Sequence, residues 1–229
     1  MAKVKFSALI SEMRNKLNGS VFARNRGGNY LRNKVTPVNP STASQVLARA
    51  RLASFAQSWR GLTEAQRESW RSVVDQWTGT DIFGDAVTPS GSALYTRLNI
   101  NVAIAGGAPL TTPPNPVGAV AVTDLSLTAA VTGDVLDLTF APSAVPADHA
   151  LFVETTPNLS PGIFNANNRF RRIDTLAAAA TSPADIFAAQ VAKFGGIVEG
   201  QKVFARAKFI RLDTGEVSQR LVASTIVAG

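Results

Sequence analysis

The chain contains no cysteine, a single histidine, and only one acidic residue in its first sixty positions. The first absence excludes disulfide frameworks, thiolate metal sites and cysteine nucleophiles. The second removes a histidine-rich metal site or proton relay within one chain. His149 lies beside Asp148 in a strand-like stretch, and no G-x-S-x-G elbow accompanies it. A strand-end histidine therefore outweighs a catalytic one. The acids stand singly, which does not suit glycosidic chemistry. The glycine pairs Gly27-Gly28, Gly106-Gly107 and Gly195-Gly196 lack the spacing of a phosphate-cradling loop. Asp81 and Asp85 lack the ligand spacing of a calcium loop. No run of about eighteen apolar residues spans a membrane, and a 45% apolar composition with mean hydropathy +0.09 is ordinary for a water-soluble protein. The opening MAKVKFSALISEMRNK is too short in its apolar part to read as a secretory signal, so synthesis in the cytoplasm without export is the expectation. The triplets Asn18-Gly19-Ser20 and Asn158-Leu159-Ser160 then carry no glycan.

What is abundant is positive charge at the front. Residues 1 to 60 hold eleven Lys or Arg against Glu12, a balance of +10, whereas the remaining residues hold 12 basic and 15 acidic groups and sum to −3. The centre of this region is GSVFARNRGGNYLRNKVTPVNPSTASQ, residues 19–45, with Arg24, Arg26, Arg32 and Lys34 and no acid. A two-residue turn at Gly27-Gly28 is the natural reading, because paired glycines accept positive φ freely. It would place Phe22, Arg24, Arg26, Asn29, Leu31 and Asn33 on one face. Val21, Ala23, Asn25, Tyr30, Arg32 and Lys34 would share the other. Arginine then stands on both faces, so neither packs dry on the chain's own core without stranding a charge. The segment reads as a docking arm, with Pro37 and Pro40 stiffening its exit. Two occupants fit it. Arg24, Arg26, Arg32 and Lys34, with Phe22 and Tyr30 interleaved and followed by Arg49 and Arg51, would neutralise phosphates and stack on bases in a sequence-blind, salt-dependent way. Alternatively the arm lies across a neighbouring subunit, arginines forking to carboxylates and backbone extending a sheet edge. The pre-stiffened exit favours the second, since little entropy is lost on docking.

Downstream, Pro40-Ser41-Thr42 is expected to supply a stop and an N-cap for a helix with Ala48, Leu52, Phe55, Ala56 and Trp59 on one face. Thr63 and Gln66 form a capping box for a second, lined by Trp70, Val73, Val74 and Trp77. Trp59, Trp70 and Trp77 each fall on an apolar stripe, so core packing of the helical hairpin outweighs base stacking. A third helix carries Leu94, Leu98, Val102 and Ala105. APLTTPPNPVG, four prolines in eleven residues, reads as a stiff linker. Beyond Gly118 the period changes to two: Leu136, Leu138 and Phe140 alternate, His149 to Thr155 is apolar, and Val203, Ala205, Ala207 and Phe209 alternate. About six short strands predict an antiparallel β-sandwich. One helix interrupts it, with Ser182 as cap and Pro183 in its first turn.

The basic N-R-G-G-x-Y-x-R turn, the P-x-N-P strap and the helical W-R-x-L-T-x-x-Q-R-x-x-W pattern resemble a group of proteins encoded among the virion genes of tailed bacteriophages and prophages, over roughly residues 17–107. The C-terminal half is similar to the fibronectin-III-like and immunoglobulin-like sandwiches that decorate phage capsids and tails, although the helix after Pro183 departs from a plain fibronectin-III pattern. The resemblance implies a structural virion part. The expected fold is α+β and multidomain: 1–40 a basic extended arm with room for a β-hairpin, 41–107 a three-helix anchor, 108–118 a proline-rich linker, 119–229 a β-sandwich with one inserted helix. The expected function is non-enzymatic, needs no cofactor or metal and no membrane, and partners the chain with other virion proteins and copies of itself. Sequence-nonspecific nucleic-acid binding is the alternative.

Overall fold

The computed structural model describes residues 2–7, 10, 12–36, 38–166 and 168–229. Pro37 lies outside the described residues. Among the described residues the fold is mixed α+β, four helices with several antiparallel sheets.

The front of the chain forms a small sheet of β1 (Ala2–Lys3), β2 (Asn15–Leu17), β3 (Ser20–Asn25) and β4 (Gly28–Asn33), in the order β1-β4-β3-β2. The β3–β4 hairpin turns one residue earlier than the glycine pair suggests. Asn25 opposes Gly28 and Arg24 opposes Asn29. The cause is local: the Asn25 side-chain oxygen accepts from the Gly27 N–H at 2.9 Å, and the left-handed φ of +100° falls on Gly28. Strand pairing thus slips by two residues, which preserves both faces but lifts Arg26 into the turn.

Helix α1 (Ala43–Gly61) and helix α2 (Glu64–Ser72) both begin in full capping boxes, Thr42 with Gln45 and Thr63 with Gln66. The second helix is shorter than its apolar stripe. From Val74 to Trp77 the chain tightens into a 3-10 turn, and Val73, Val74 and Trp77 still lie against the helical cluster. A two-stranded loop, β5 (Gly79–Thr80) and β6 (Ala86–Val87), leads to α3 (Gly91–Ala105). Leu94, Leu98 and Val102 of α3 are buried. Helix α1 differs from expectation along its length: Phe55 is buried, but Leu52 remains 54% exposed and Ala48 and Ala56 are also exposed. Nothing among the described residues buries its first half.

Two antiparallel sheets then pack face to face. One is β10 (Arg171–Leu176), β9 (His149–Thr155), β12 (Lys202–Arg211) and β13 (Leu221–Ile226), in that order; the other is β11 (Ala184–Asp185), β8 (Val135–Ala141) and β7 (Asp124–Ala130). Alternate residues, Leu136, Leu138 and Phe140 with Val203, Ala205, Ala207 and Phe209, fill the space between them. Each leucine, valine and phenylalanine among them contributes about 1.5–3 kcal/mol by leaving water. Helix α4 (Phe187–Phe194) starts later than Ser182 and Pro183 suggest, because Ala184 and Asp185 pair with Leu138 and Asp137 of β8. The Asp185 carboxylate then accepts from the Phe187 N–H at 2.8 Å. Gln190 of α4 is fully buried; its amide donates to the Thr156 carbonyl at 3.0 Å and its oxygen accepts from the Thr155 hydroxyl.

The helices meet the sandwich through α3, which packs on β9 and β12. At the joint Gly215, with φ +74°, lies so near the Leu98 carbonyl that a Cβ there would sit 2.5 Å from its oxygen. Asn101 donates to the Gly215 carbonyl at 2.8 Å. The 108–118 segment is fastened at both ends. Leu110 exchanges hydrogen bonds with the buried Asn99, and the Thr111 carbonyl accepts from Trp70 Nε1 at 3.0 Å. The N–H groups of Val117 and Gly118 donate to Glu216 at 3.1 and 2.8 Å.

Candidate docking surface

The front sheet is one layer thick, and none of its described residues reaches core burial. Its strands are too short and too charged to cover another layer, so its side chains stay half-exposed or exposed. Ala2, Phe22 and Leu31 share one face with Arg24 and Asn29, while Lys3, Val21, Ala23 and Tyr30 share the other with Arg32, as the cross-strand pairs dictate.

The chain neutralises part of its own basic front. Lys3 meets Asp81 at 2.8 Å and Lys5 meets Asp85 at 2.7 Å, which ties the sheet to the β5–β6 loop. Asp81 is held below the usual carboxylate range, chiefly by Lys3, with the Phe83 and Asp85 N–H groups also bonding to it. These contacts occupy the oxygens weighed above for calcium. Glu12 accepts from Arg14 at 2.8 Å and faces Arg24 at 3.6 Å, so one carboxylate serves two guanidiniums.

Arg26, Arg32 and Lys34 meet no carboxylate within 4 Å among the described residues. Arg26 projects from the turn toward a cleft it shares with Trp59, Arg71 and Ser90. Arg32 and Lys34 are exposed, and Tyr30 is half-buried. The two helical arginines part company with this group. Arg49 donates to Asn39 at 2.7 Å, bracing the strap against α1. Arg51 faces the sandwich, close enough to Arg172 that its charge adds to burial in lowering the pKa of that guanidinium. The exposed first half of α1 adds Val46 and Leu47, each 52% exposed.

The three tryptophans divide similarly. Trp70 is fully buried. It meets Tyr95 edge-on at 5.3 Å, and Trp59 meets the same ring at 5.5 Å. Trp77 lies half-buried at the margin under Arg97, whose guanidinium is 5.8 Å from its ring centre. Tyr95, the ring that joins the other two, was signalled by nothing beyond its place next to Leu94 on the third helix. Lys3, Lys5 and their aspartates lie almost eighty residues apart, and no local pattern announces them.

His149 is buried, with its ring against Phe209, and Nε2 accepts from the Val120 N–H at 3.1 Å. Burial first, then Arg211, lowers its pKa. It serves as a neutral packing residue that anchors the strand entering the sandwich. Among the described residues no group of three His, Asp or Glu is placed to hold a metal, and no helix is long and apolar enough to cross a membrane.

No family model matches this chain, and no curated protein matches it. Among solved structures, an Fn3-like protein from Clostridium thermocellum is 15% identical and aligns over 48% of this chain and 94% of its own, with a TM-score of 0.30. A likeness of that size carries no argument.

Proposed function

We propose that this chain is a non-enzymatic structural protein of a bacteriophage virion, a capsid-decoration or minor capsid protein or a head–tail or tail component. In this reading the basic front sheet and the helices dock on neighbouring virion proteins, and an immunoglobulin- or fibronectin-III-like sandwich is displayed from them. The observation that carries it is the front sheet: a layer with no buried residue that leaves Arg26, Arg32 and Lys34 without a carboxylate partner among the described residues. Such a layer gains its missing cover and counter-charge from another molecule. Many weak copies of that contact around a ring or lattice give strong attachment through avidity. The exposed Val46 and Leu47 of α1 supply an apolar margin to the same surface.

The second reading, sequence-nonspecific nucleic-acid binding, rests on the same unneutralised cations and on the +10 balance of the first sixty residues. One experiment separates them. The tagged chain is produced during particle formation and its recovery with sedimenting particles is measured before and after nuclease. Retention after nuclease supports docking on protein, and release supports nucleic acid. The combined change of Arg24, Arg26, Arg32 and Lys34 to Ala is expected to abolish recovery while the circular dichroism of the chain stays as in the parent. Recovery of that variant at parental level refutes the docking role of the arm.

A further inference from the structure

The two outer faces of the sandwich carry opposite charge. On the β10-β9-β12-β13 sheet, cross-strand pairing sets Arg172, Glu154 and Arg206 in one row and Phe152 and Lys208 in the next; the β12–β13 register carried one step further brings Arg220 to Lys208. Glu154 is the acid of these rows, and Arg206 takes both its oxygens at 2.6 and 3.0 Å. Arg172 and Lys208 lie 5.6 and 5.3 Å from the centre of the same Phe152 ring. Neither they nor Arg220 meets a carboxylate within 4 Å among the described residues. Burial chiefly, and then Arg220, lowers the Lys208 pKa, so this amine is held half out of water without a counter-ion.

The rows form a window. At one end α3 covers Ala150 and Ile210, which are outward-facing yet almost fully buried. At the other, the loop between β9 and β10 covers Phe204 through Leu159, Ala166 and Phe170. Beside the window β13 adds exposed Val222 and Ile226.

The opposite sheet is its electrostatic complement. Its three strands contain no Lys or Arg, and indeed the chain has none between Arg97 and Arg169. Asp137 stands directly opposite Asp185 across β8 and β11, a like-charge pair that costs stability unless a cation approaches. With Asp124 at the start of β7 and Asp134 in the β7–β8 turn, these carboxylates meet no cation within 4 Å among the described residues.

We propose that the basic window on β10-β9-β12-β13 is an interface for a second copy of this chain, which it takes by that copy's acidic β7-β8-β11 face. The contact is heterologous: each copy offers one face and accepts with the other, so it propagates into a ring or stack and does not stop at a symmetric dimer. It does not involve the arm, so it stands or falls apart from the function proposed above.

The test is charge exchange in the full chain, read by sedimentation velocity at low salt and high protein concentration. The parent should form species beyond a dimer that revert toward monomer as salt is raised. Lys208→Glu with Arg220→Glu, or Asp124→Lys with Asp137→Lys, should each weaken self-association by at least about tenfold. Mixed together, these two variants should co-assemble in equal proportion, because the unaltered acidic face of one meets the unaltered window of the other and their two altered faces are again opposite in charge. Both pairs of changes in one chain should restore self-association. A milder variant guards against misfolding: Asp137→Asn with Asp185→Asn removes the like-charge pair and should raise the thermal midpoint while weakening association. The arm variant with four alanines should still self-associate. A parent that stays monomeric, variants that associate as the parent does, or a mixture that fails to combine would each overturn the proposal. So would a single-stranded oligonucleotide held by the parent and lost on Lys208→Glu with Arg220→Glu, which would assign the window to nucleic acid.

Discussion

Replacing Gly215 by alanine should loosen the joint between helices and sandwich, and its cost can be worked from three contributions. The backbone sits at φ +74°, a left-handed value that costs an alanine about 1–2 kcal/mol. The added Cβ would stand 2.5 Å from the Leu98 carbonyl oxygen and 3.0 Å from the carbonyl carbon and Cα. These are helix backbone atoms, which yield only if α3 moves off the sheet. Such a movement breaks the Asn101 bond to the Gly215 carbonyl, 2.8 Å long and worth about 1 kcal/mol. The expected loss is about 2–4 kcal/mol, or roughly 5–15 °C in thermal midpoint for a chain of this size. Gly200→Ala is the control. Gly200 has a similar φ of +71° with nothing within 4 Å of its Cβ position, so only the conformational cost of about 1–2 kcal/mol applies. Chemical denaturation of the two variants gives the difference directly. Limited proteolysis should cut the 108–118 segment faster in Gly215→Ala than in the parent. Equal losses in the two variants, with unchanged cleavage, would refute the close seating of α3 on the sandwich.

Two further outcomes can be read from the interior. The His149 pKa lies below its ordinary 6.5 in the folded chain, so the unfolded chain binds that proton first as pH falls. Its contribution to stability is complete above pH 6.5 and declines as the pH drops through that value toward the folded pKa. The thermal midpoint at about pH 5.5 relative to pH 8 should therefore fall less in His149→Gln, which keeps an acceptor for the Val120 N–H, and an identical pH slope would contradict this. Gln190→Ala leaves the Thr155 hydroxyl and Thr156 carbonyl without the amide and opens a cavity; urea unfolding should register a loss of about 2–3 kcal/mol.

Features set by local chemistry were legible in the sequence. Thr63 with Gln66 caps a helix wherever a helix follows, and Leu136, Leu138 and Phe140 face inward because a strand alternates. Features set by distant partners were not. Ala184 and Asp185 read as the start of a helix until β8 claims their backbone. The turn at Arg26 and Gly27 depended on one Asn25 oxygen overriding the preference of a glycine pair. Of the candidate site, the concentration of cations was plain, but their apportioning was not. Lys3 and Lys5 are consumed by Asp81 and Asp85 and Arg24 shares Glu12, whereas Arg26, Arg32 and Lys34 of the hairpin and its exit meet no carboxylate within 4 Å among the described residues. The opposite charge of the two sandwich faces likewise needs the strand order, because Lys208 and Asp137 are both simply alternate residues of a strand.

The proline-rich segment, clasped by Asn99 and Trp70 at one end and by Glu216 at the other, gives the molecule no slack. A tether left free would let the sandwich swing and dissipate any pull placed on it. Fixed at both ends alongside the Gly215 seat, it acts instead as the second member of a truss. Load on the outer sheets is delivered to the third helix, and the sandwich is held at one angle to the helices.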